Sequence, residues 1–521
     1  MLVFRRAAIF AAHLFLLGSS VTAQDISLVS HDKAIRLDGT FLGYDGEFYR
    51  IDTAYGELTV DSSGVLCEGP ACPNLTDYVA DLRIAGAADA LGSLWPSLLQ
   101  GFAAQNDLAM ELGEAGATLS DATGRILVRF HMTPETSGEG LARMLDGGAD
   151  LVLATRAMTR QEIALAQTAG LGDLTNGRYG QVIALDAIVP ITAIGSPVRS
   201  LSMPQIKGIL SGKITDWSQV GGPEARISLH LPSPTTGFGQ AIAALMPKGP
   251  AAAAFHPSVE ALRQAVKTDP FALGFAALSD DHRAQPLAIR GGCGVSLKAD
   301  RQSVKAEDYP LTAPVFLYRP ARRLPKIGRE LVAYLASQDA QRVVRNAGYI
   351  DQEPETVSLA TQGERLVNAI LHADDGVALQ DLKEMVSTLD ARDRLTVSFR
   401  FEAGSSRLDA QSRSNVALLA QAIAGGDFDG QSLMFVGFSD GQGPVEANRA
   451  LSEKRARVVM DAVLAATEDG GEHAHLTSLG YGEAMPLACD SSEWGRFVNR
   501  RVEVWVRPDV GDVTDTPRIG N

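Results

Sequence analysis

Near the C-terminal end of the chain, a carboxylate and a guanidinium stand where two neighbouring elements would meet. Asp440 lies in GFSDGQG and Arg455 fifteen positions on in NRALSEKRA, with the amide of Asn448 between them. Opposite charges held on adjacent elements can grip a zwitterion, Asp taking an ammonium while Arg forks a carboxylate. A later run, NRRVEVWV, adds Asn499 and Arg500. The plainer alternative is an internal Asp440–Arg455 ion pair, worth about 0–1 kcal/mol at a surface. The chain carries no nucleophile–base–acid arrangement and no metal-ligand spacing, so the chemistry to expect is binding: no catalytic residue, metal or cofactor is predicted, and the protein is not read as an enzyme.

The elements that must hold these residues follow from periodicity. LTVSFRF, SLMFVGF, HLTSLGYG and RRVEVWV read as strands, and Asp409–Ala424 and Glu446–Ala466 as helices. Asp440 then follows a strand at a Gly-rich turn and Arg455 falls within the first half of a long helix, the kind of junction where α/β units build ligand sites. Arg501 and Glu503 alternate on a strand face with no ligand role. Upstream, from about residue 80, strand-like runs such as ADLVLAT, QVIALDAIVPITA and ARISLHLP alternate with helical ones, an α/β pattern. Residues 25–66 instead show short alternating runs punctuated by Gly, the signature of tight-turned strands in a small β module. A more charged stretch with one or two short helices, around Leu359–His372 and Leu379–Leu389, connects the two α/β parts.

Length and composition agree with several domains. The 521 residues are 45% hydrophobic with a net charge of −15, ample for real cores and unfavourable for a nucleic-acid partner. Arg5 and Arg6, then AAIFAAHLFLL and a small-residue site at Val21-Thr22-Ala23, predict a cleaved secretory signal over 1–23. No Cys stands at that site, which leaves a lipid anchor unsupported. Export permits disulfides. Cys67 and Cys72, in CEGPAC, are expected to pair across a small turn, while Cys293 and Cys489 could form a long-range bridge or remain thiols.

The C-terminal segment closely resembles the OmpA-like domain, a periplasmic peptidoglycan-binding module. The pieces that carry the likeness are FRFEAGSSRLD, GFSDGQG, NRALSEKRARVV, LGYGEAMP and WGRFVNRRVEVWV, in family order, with Phe438-Ser439 where His-Thr is common. The resemblance implies that Asp440 and Arg455 hold the diaminopimelate of a stem peptide, that Asn448 shares the pocket, and that Asn499 and Arg500 lie near it. The segment before it resembles the PstS-like periplasmic phosphate-binding proteins. LDAIVPITAIGSPVRSLSMPQIKGILSGKITDWSQVGG carries that likeness, with ALGFAALS, YPLTAPVFLYR and SQDAQRVVRNAGYI.

The second resemblance implies a type II binding-protein fold, with an anion held at three loops by backbone N–H groups, hydroxyls and helix starts. Those loops fall on Gly86–Ala90 (centred on Ala88), on Thr155-Arg156, and on Thr235-Thr236-Gly237. The first lacks the usual hydroxyls, and its Asp89 would repel an anion unless turned away or protonated. Pro232 stands where classical members have an Arg. Two plainer readings stand beside these: Thr235-Thr236-Gly237 as a helix N-cap, and Arg156 paired with a nearby carboxylate. His230 and His256 look isolated and receive no role.

The expected architecture is therefore α/β multidomain. It comprises a signal (1–23), a small β module (24–76), a two-lobed PstS-like domain (77–352), a helical connector (353–394), an OmpA-like α/β sandwich (395–508) and a tail (509–521). The expected function is an envelope binding protein, periplasmic and associated with the cell wall or outer membrane. It is anchored on peptidoglycan and captures a small oxyanion such as phosphate, with a transporter or outer-membrane protein as a further partner. The alternative is a structural or interaction protein whose PstS-like domain has lost its ligand.

Overall fold

The alternation of residues 25–66 becomes a five-stranded antiparallel sheet. Its spatial order is Gly56–Asp61, Phe48–Thr53, Arg36–Tyr44, Ile26–Ser30, Val65–Glu68. Ile26, Leu28, Tyr49 and Ile51 form its small core, and the expected Cys67–Cys72 disulfide closes the turn beyond the last strand. In this computed structural model the described residues are 25–508, apart from 244, 246–251, 281–283, 291–295, 372–376, 403–404 and 468–473. The expected signal, the tail and Cys293 lie outside them. Cys489 is disulfide-bonded, and no described cysteine is free.

The remainder, from residue 81 on, forms a separate compact unit, 325–327 aside. Its first part is two-lobed. Strands Ala80–Ala87, Ile126–Glu135 and Leu151–Ala154 serve one lobe, and Ser228–Pro232, Ala254–His256 and Ala272–Ala277 the other. The thirteen-residue strand Gly180–Thr192 joins them: its first half pairs with Thr312–Tyr318 and its second with Ala272–Ala277. It is buried nearly throughout, as a run of Val, Ile, Leu and Ala covered on both faces should be. The first two site loops follow the ends of Ala80–Ala87 and Leu151–Ala154, which are parallel neighbours, and the third follows Ser228–Pro232.

The C-terminal part is a sheet in the order Thr356–Val357, Asp393–Arg400, Arg501–Pro508, Gln431–Phe438, His475–Gly480. Period-two alternation sorts its strands between two cores. Leu433 and Phe435 face the helices Ala410–Ala424 and Val445–Ala466. Met434, Val436 and Trp505 face Leu382, Met385 and Leu389 of the connector. The connector helices Gly363–Leu371 and Leu379–Leu389 thus form the second outer layer of the sandwich.

The two parts share a buried polar seam. Arg394 forks Asp308 at 2.6 and 3.0 Å, Asn415 donates to Glu307 at 2.8 Å, and the Val182 N–H donates to Ser414 at 2.9 Å. Burial pushes the Glu307 carboxyl up to about 8, with the charge of Asp409 adding to the effect. Burial opposes ionisation of Asp308 as well, but its guanidinium neighbours Arg394 and Arg365 win and hold it below the usual carboxylate range. One face of the last strand adds Arg501 and Glu503, fully buried and paired at 2.7 Å.

Candidate functional site

Two close approaches set the C-terminal pocket. A Cβ on Gly437 would stand 2.0 Å from the Ser452 carbonyl oxygen, and one on Gly480 would stand 2.2 Å from the Glu453 nitrogen. Only glycine lets the Val445–Ala466 helix lie this close to the sheet, less than a turn before Arg455. The helix thereby carries Arg455 to within electrostatic reach of Asp440 and Arg500. Asp440 does not pair with Arg455 there. Its carboxylate accepts from Arg500 and from the Gln442 N–H.

Arg455 is left with unmet donors. The residue is 8% exposed, yet its Nε and Nη1 have no hydrogen-bond partner in the protein. Its guanidinium lies over the Phe401 ring at 5.2 Å. Burial, and then the charge of Arg500, push its pKa down, against the pull of Asp440. Ser439, beside Asp440 in the chain, is also buried with an unpartnered Oγ. Donors buried without acceptors are costly, and a native fold retains them where something else supplies the acceptor.

The other expected residues have different duties. Asn448 donates to Glu483 at 2.9 Å. Asn499 is spent on the 487–490 segment: its Oδ1 accepts from the Leu487 and Ala488 N–H groups, and its Nδ2 donates to the Ala488 carbonyl and to Asp490. Asp490 in turn accepts from the Gly441 N–H. Asn499 therefore positions the turn that carries Asp440. Asp490 and Glu483 were not legible beforehand, because neither sits in a spacing that marks it.

In the two-lobed part the three expected loops do converge. A Cβ on Gly237 would meet Thr155 Oγ1 at 3.0 Å, Ala87 Cβ at 3.3 Å and Asp89 Oδ2 at 3.6 Å. Beside them lies a cavity of about 260 Å³ lined by Asp89, Thr155, Asp186, Phe238, Asp280 and Tyr349 among others. The loops are largely satisfied from within. Arg156 is forked by Glu162 at 2.7 and 2.9 Å. Thr236 caps the short Gly237–Ala243 helix, accepting from Gly239 at 2.9 Å, and Thr235 pairs with Ser233. Asp89 is not turned away: its Oδ2 accepts the Phe238 N–H at 2.9 Å. Ser279 donates to Asp186 from both hydroxyl and backbone, and burial pushes that carboxyl up to about 6.

His230 and His256 are not isolated, contrary to expectation. Strand pairing brings His230 Nδ1 and His256 Nε2 to 2.9 Å. Among the described residues no group of three or more His, Cys, Asp or Glu is disposed to hold a metal.

The described residues thus comprise, after the small β module, a two-lobed α/β fold and an α/β sandwich with a charged cluster at Asp440, Arg455 and Arg500. Residues 80–339 match the PBP superfamily domain and residues 400–500 the OmpA family. Over 187 residues the chain is 26% identical to the phosphate-binding protein PstS of Bacillus subtilis, covering 34% of this chain and 60% of that one. Over 113 residues it is 33% identical to outer membrane porin F of Pseudomonas fluorescens, covering 22% of this chain and 33% of the porin. It is also 32% identical over 111 residues to the peptidoglycan-associated lipoprotein of Pseudomonas aeruginosa, covering 21% and 62%. The chain thus spans from a third to about three fifths of the length of these relatives.

Proposed function

We propose that this is a cell-envelope binding protein, held non-covalently on peptidoglycan by its C-terminal module (395–508), with a two-lobed module (77–352) that captures a small solute. The observation that carries the anchoring half is Arg455, buried with two nitrogens unpartnered beside a carboxylate that another arginine already neutralises. A diaminopimelate carboxylate supplies the missing acceptor, and its ammonium competes with Arg500 for Asp440. Asn448, Asn499 and Arg500 complete the pocket, Asn499 as a positioning residue. The resemblance of this module to the peptidoglycan-associated lipoprotein supports the same reading.

For the cleft, the resemblance to PstS supports solute capture, with phosphate or a similar oxyanion as the first candidate. Ala88, Thr155, Arg156, Thr235, Thr236 and Gly237 are the residues that candidate would use. The test of the anchoring half is co-sedimentation of the full chain with purified peptidoglycan, competed by free meso-diaminopimelate. Retention that diaminopimelate releases supports the reading. Passage of the chain into the supernatant at all wall concentrations refutes it. For the cleft, thermal shift across a solute panel is the measure, since a ligand at a hundredfold over its dissociation constant adds about 2.7 kcal/mol.

A further inference from the structure

The cleft cavity is lined by three carboxylates, Asp89, Asp186 and Asp280, and by the hydroxyls of Ser93, Thr155, Ser279 and Tyr349. Among the described residues, no arginine, lysine or histidine lines it. The one guanidinium that the loops could have offered, that of Arg156, is forked by Glu162. The backbone N–H of Phe238, at the convergence of the three loops, is already given to Asp89. An oxyanion arriving there would have to displace a fixed carboxylate from that donor and then lie beside it. A hydrogenphosphate dianion carries a single proton to share, and three aspartates are among the residues that line the space.

We propose that Asp89 is the specificity-determining residue of this cleft. Its own carboxylate stands in for an anion at the Phe238 N–H beside Thr155, so the cleft turns away free oxyanions and takes a small solute that brings hydrogen-bond donors or positive charge. This rests on the solute-capture reading above and replaces its first candidate ligand. Such a solute meets the Asp89 carboxylate in a cavity of about 260 Å³, a volume that suits a molecule of metabolite size.

The experiment is isothermal titration of the full chain at pH 7.5 with four probes: inorganic phosphate, sulfate, putrescine and glucosamine. Asp89→Ser removes the resident charge and leaves a hydroxyl. Asp89→Asn is close to isosteric, keeps an acceptor for the Phe238 N–H, and guards against a misfolded serine variant. Circular dichroism checks both. The expected result is reciprocal. The parent binds at least one amine and binds phosphate more weakly than 1 mM (about −4.1 kcal/mol). Asp89→Ser gains at least tenfold for phosphate and loses at least tenfold for the amine. Asp89→Asn loses the amine equally and gains less for phosphate. Parent binding of phosphate as tight as that of Asp89→Ser overturns the inference and leaves solute capture standing. A phosphate gain with no loss of amine binding overturns the assignment of the solute class. Absence of binding by parent and variants to all four probes overturns solute capture, and the inference with it.

Discussion

The cleft and the C-terminal pocket both gather charged side chains at the ends of strands, but they spend them differently. In the cleft Asp89 holds a backbone N–H, Arg156 is forked by Glu162, and Asp186 is held by Ser279. In the pocket Asp440 is neutralised by Arg500, while Arg455 keeps two buried nitrogens without partners. A site whose groups satisfy one another has to be opened by a ligand that offers better partners. A site with an orphaned donor is already short of an acceptor, so a carboxylate that reaches Arg455 breaks no hydrogen bond of its two buried nitrogens. The presence of charge therefore says less about binding than whether that charge is already used.

The largest expected effects come from breaking the pocket, and its two charges should break differently. Asp440→Ala leaves Arg500 and Arg455 near each other without a counter-charge. It should lower peptidoglycan retention at least tenfold and also lower the melting temperature. Arg455→Ala should release the chain from peptidoglycan to the same extent while the melting temperature holds or rises, because a buried guanidinium with unmet donors costs stability. The counterweight is its contact with Phe401, worth about 0.5–2 kcal/mol. If Arg455→Ala melts well below Asp440→Ala, the arginine is a structural prop, and the contrast between the two regions fails. Sedimentation and melting curves on both variants decide it.

A second, intermediate effect concerns the seam that joins the regions. The folded-state pKa of Glu307 lies above its unfolded value, pushed up to about 8 by burial. Below the ordinary glutamate range both states are protonated and the group costs nothing. As pH rises from about 4.5 to 8 the unfolded chain releases the proton and the folded one keeps it, so stability falls across that window and levels off above it. Asp186, pushed up to about 6, adds a smaller fall in the same direction between about pH 4 and 6. Glu307→Gln, which keeps an acceptor for Asn415, should flatten the larger part of the slope and gain on the order of a few kcal/mol at pH 8. Urea melts of parent and variant at pH 5 and pH 8 measure this. A parent equally stable at both would mean that Glu307 is ionised in the fold, and the seam would then join the regions by charge pairing alone.

Much of this was readable from local pattern. Asp440 and Arg455 fall in motifs a few residues long, the apolar alternation of SLMFVGF and RRVEVWV is a short-range signal, and Arg501 and Glu503 lie on one strand face as their spacing requires. The fate of Arg156 was half readable. Thr159 to Glu162 is a capping box, and a carboxylate turned back to its N-cap stands near a residue three positions before that cap. What could not be read depends on pairs far apart in the chain. Asp89 meets Phe238 across 149 positions and Glu307 meets Asn415 across 108. No periodicity carries such a pairing. The connector shows the same limit: its charged composition suggests a tether, yet Leu382, Met385 and Leu389 are set at helical spacing and cover a sheet face that only the tertiary fold leaves bare.

The smallest expected effect is the sharpest test of the comparison. If Arg156 served an anion in the cleft, Arg156→Ala would cost a charge-assisted hydrogen bond and lower phosphate binding tenfold or more. With its guanidinium forked by Glu162 it should do neither. The side chains of Arg156 and Glu162 keep about a third and a sixth of their exposure, so the loss of stability should be near that of a surface pair, about 1 kcal/mol or less. Solute binding should change less than twofold. Glu162→Ala is the more informative partner. It frees the guanidinium two residues from the end of the Leu151–Ala154 strand, next in the chain to the cavity-lining Thr155, and removes the acceptor of the capping box at Thr159. If freeing it creates phosphate binding in titration, then Glu162, with Asp89, keeps the cleft closed to anions. If only the helix weakens, Asp89 alone sets the sign of the solute.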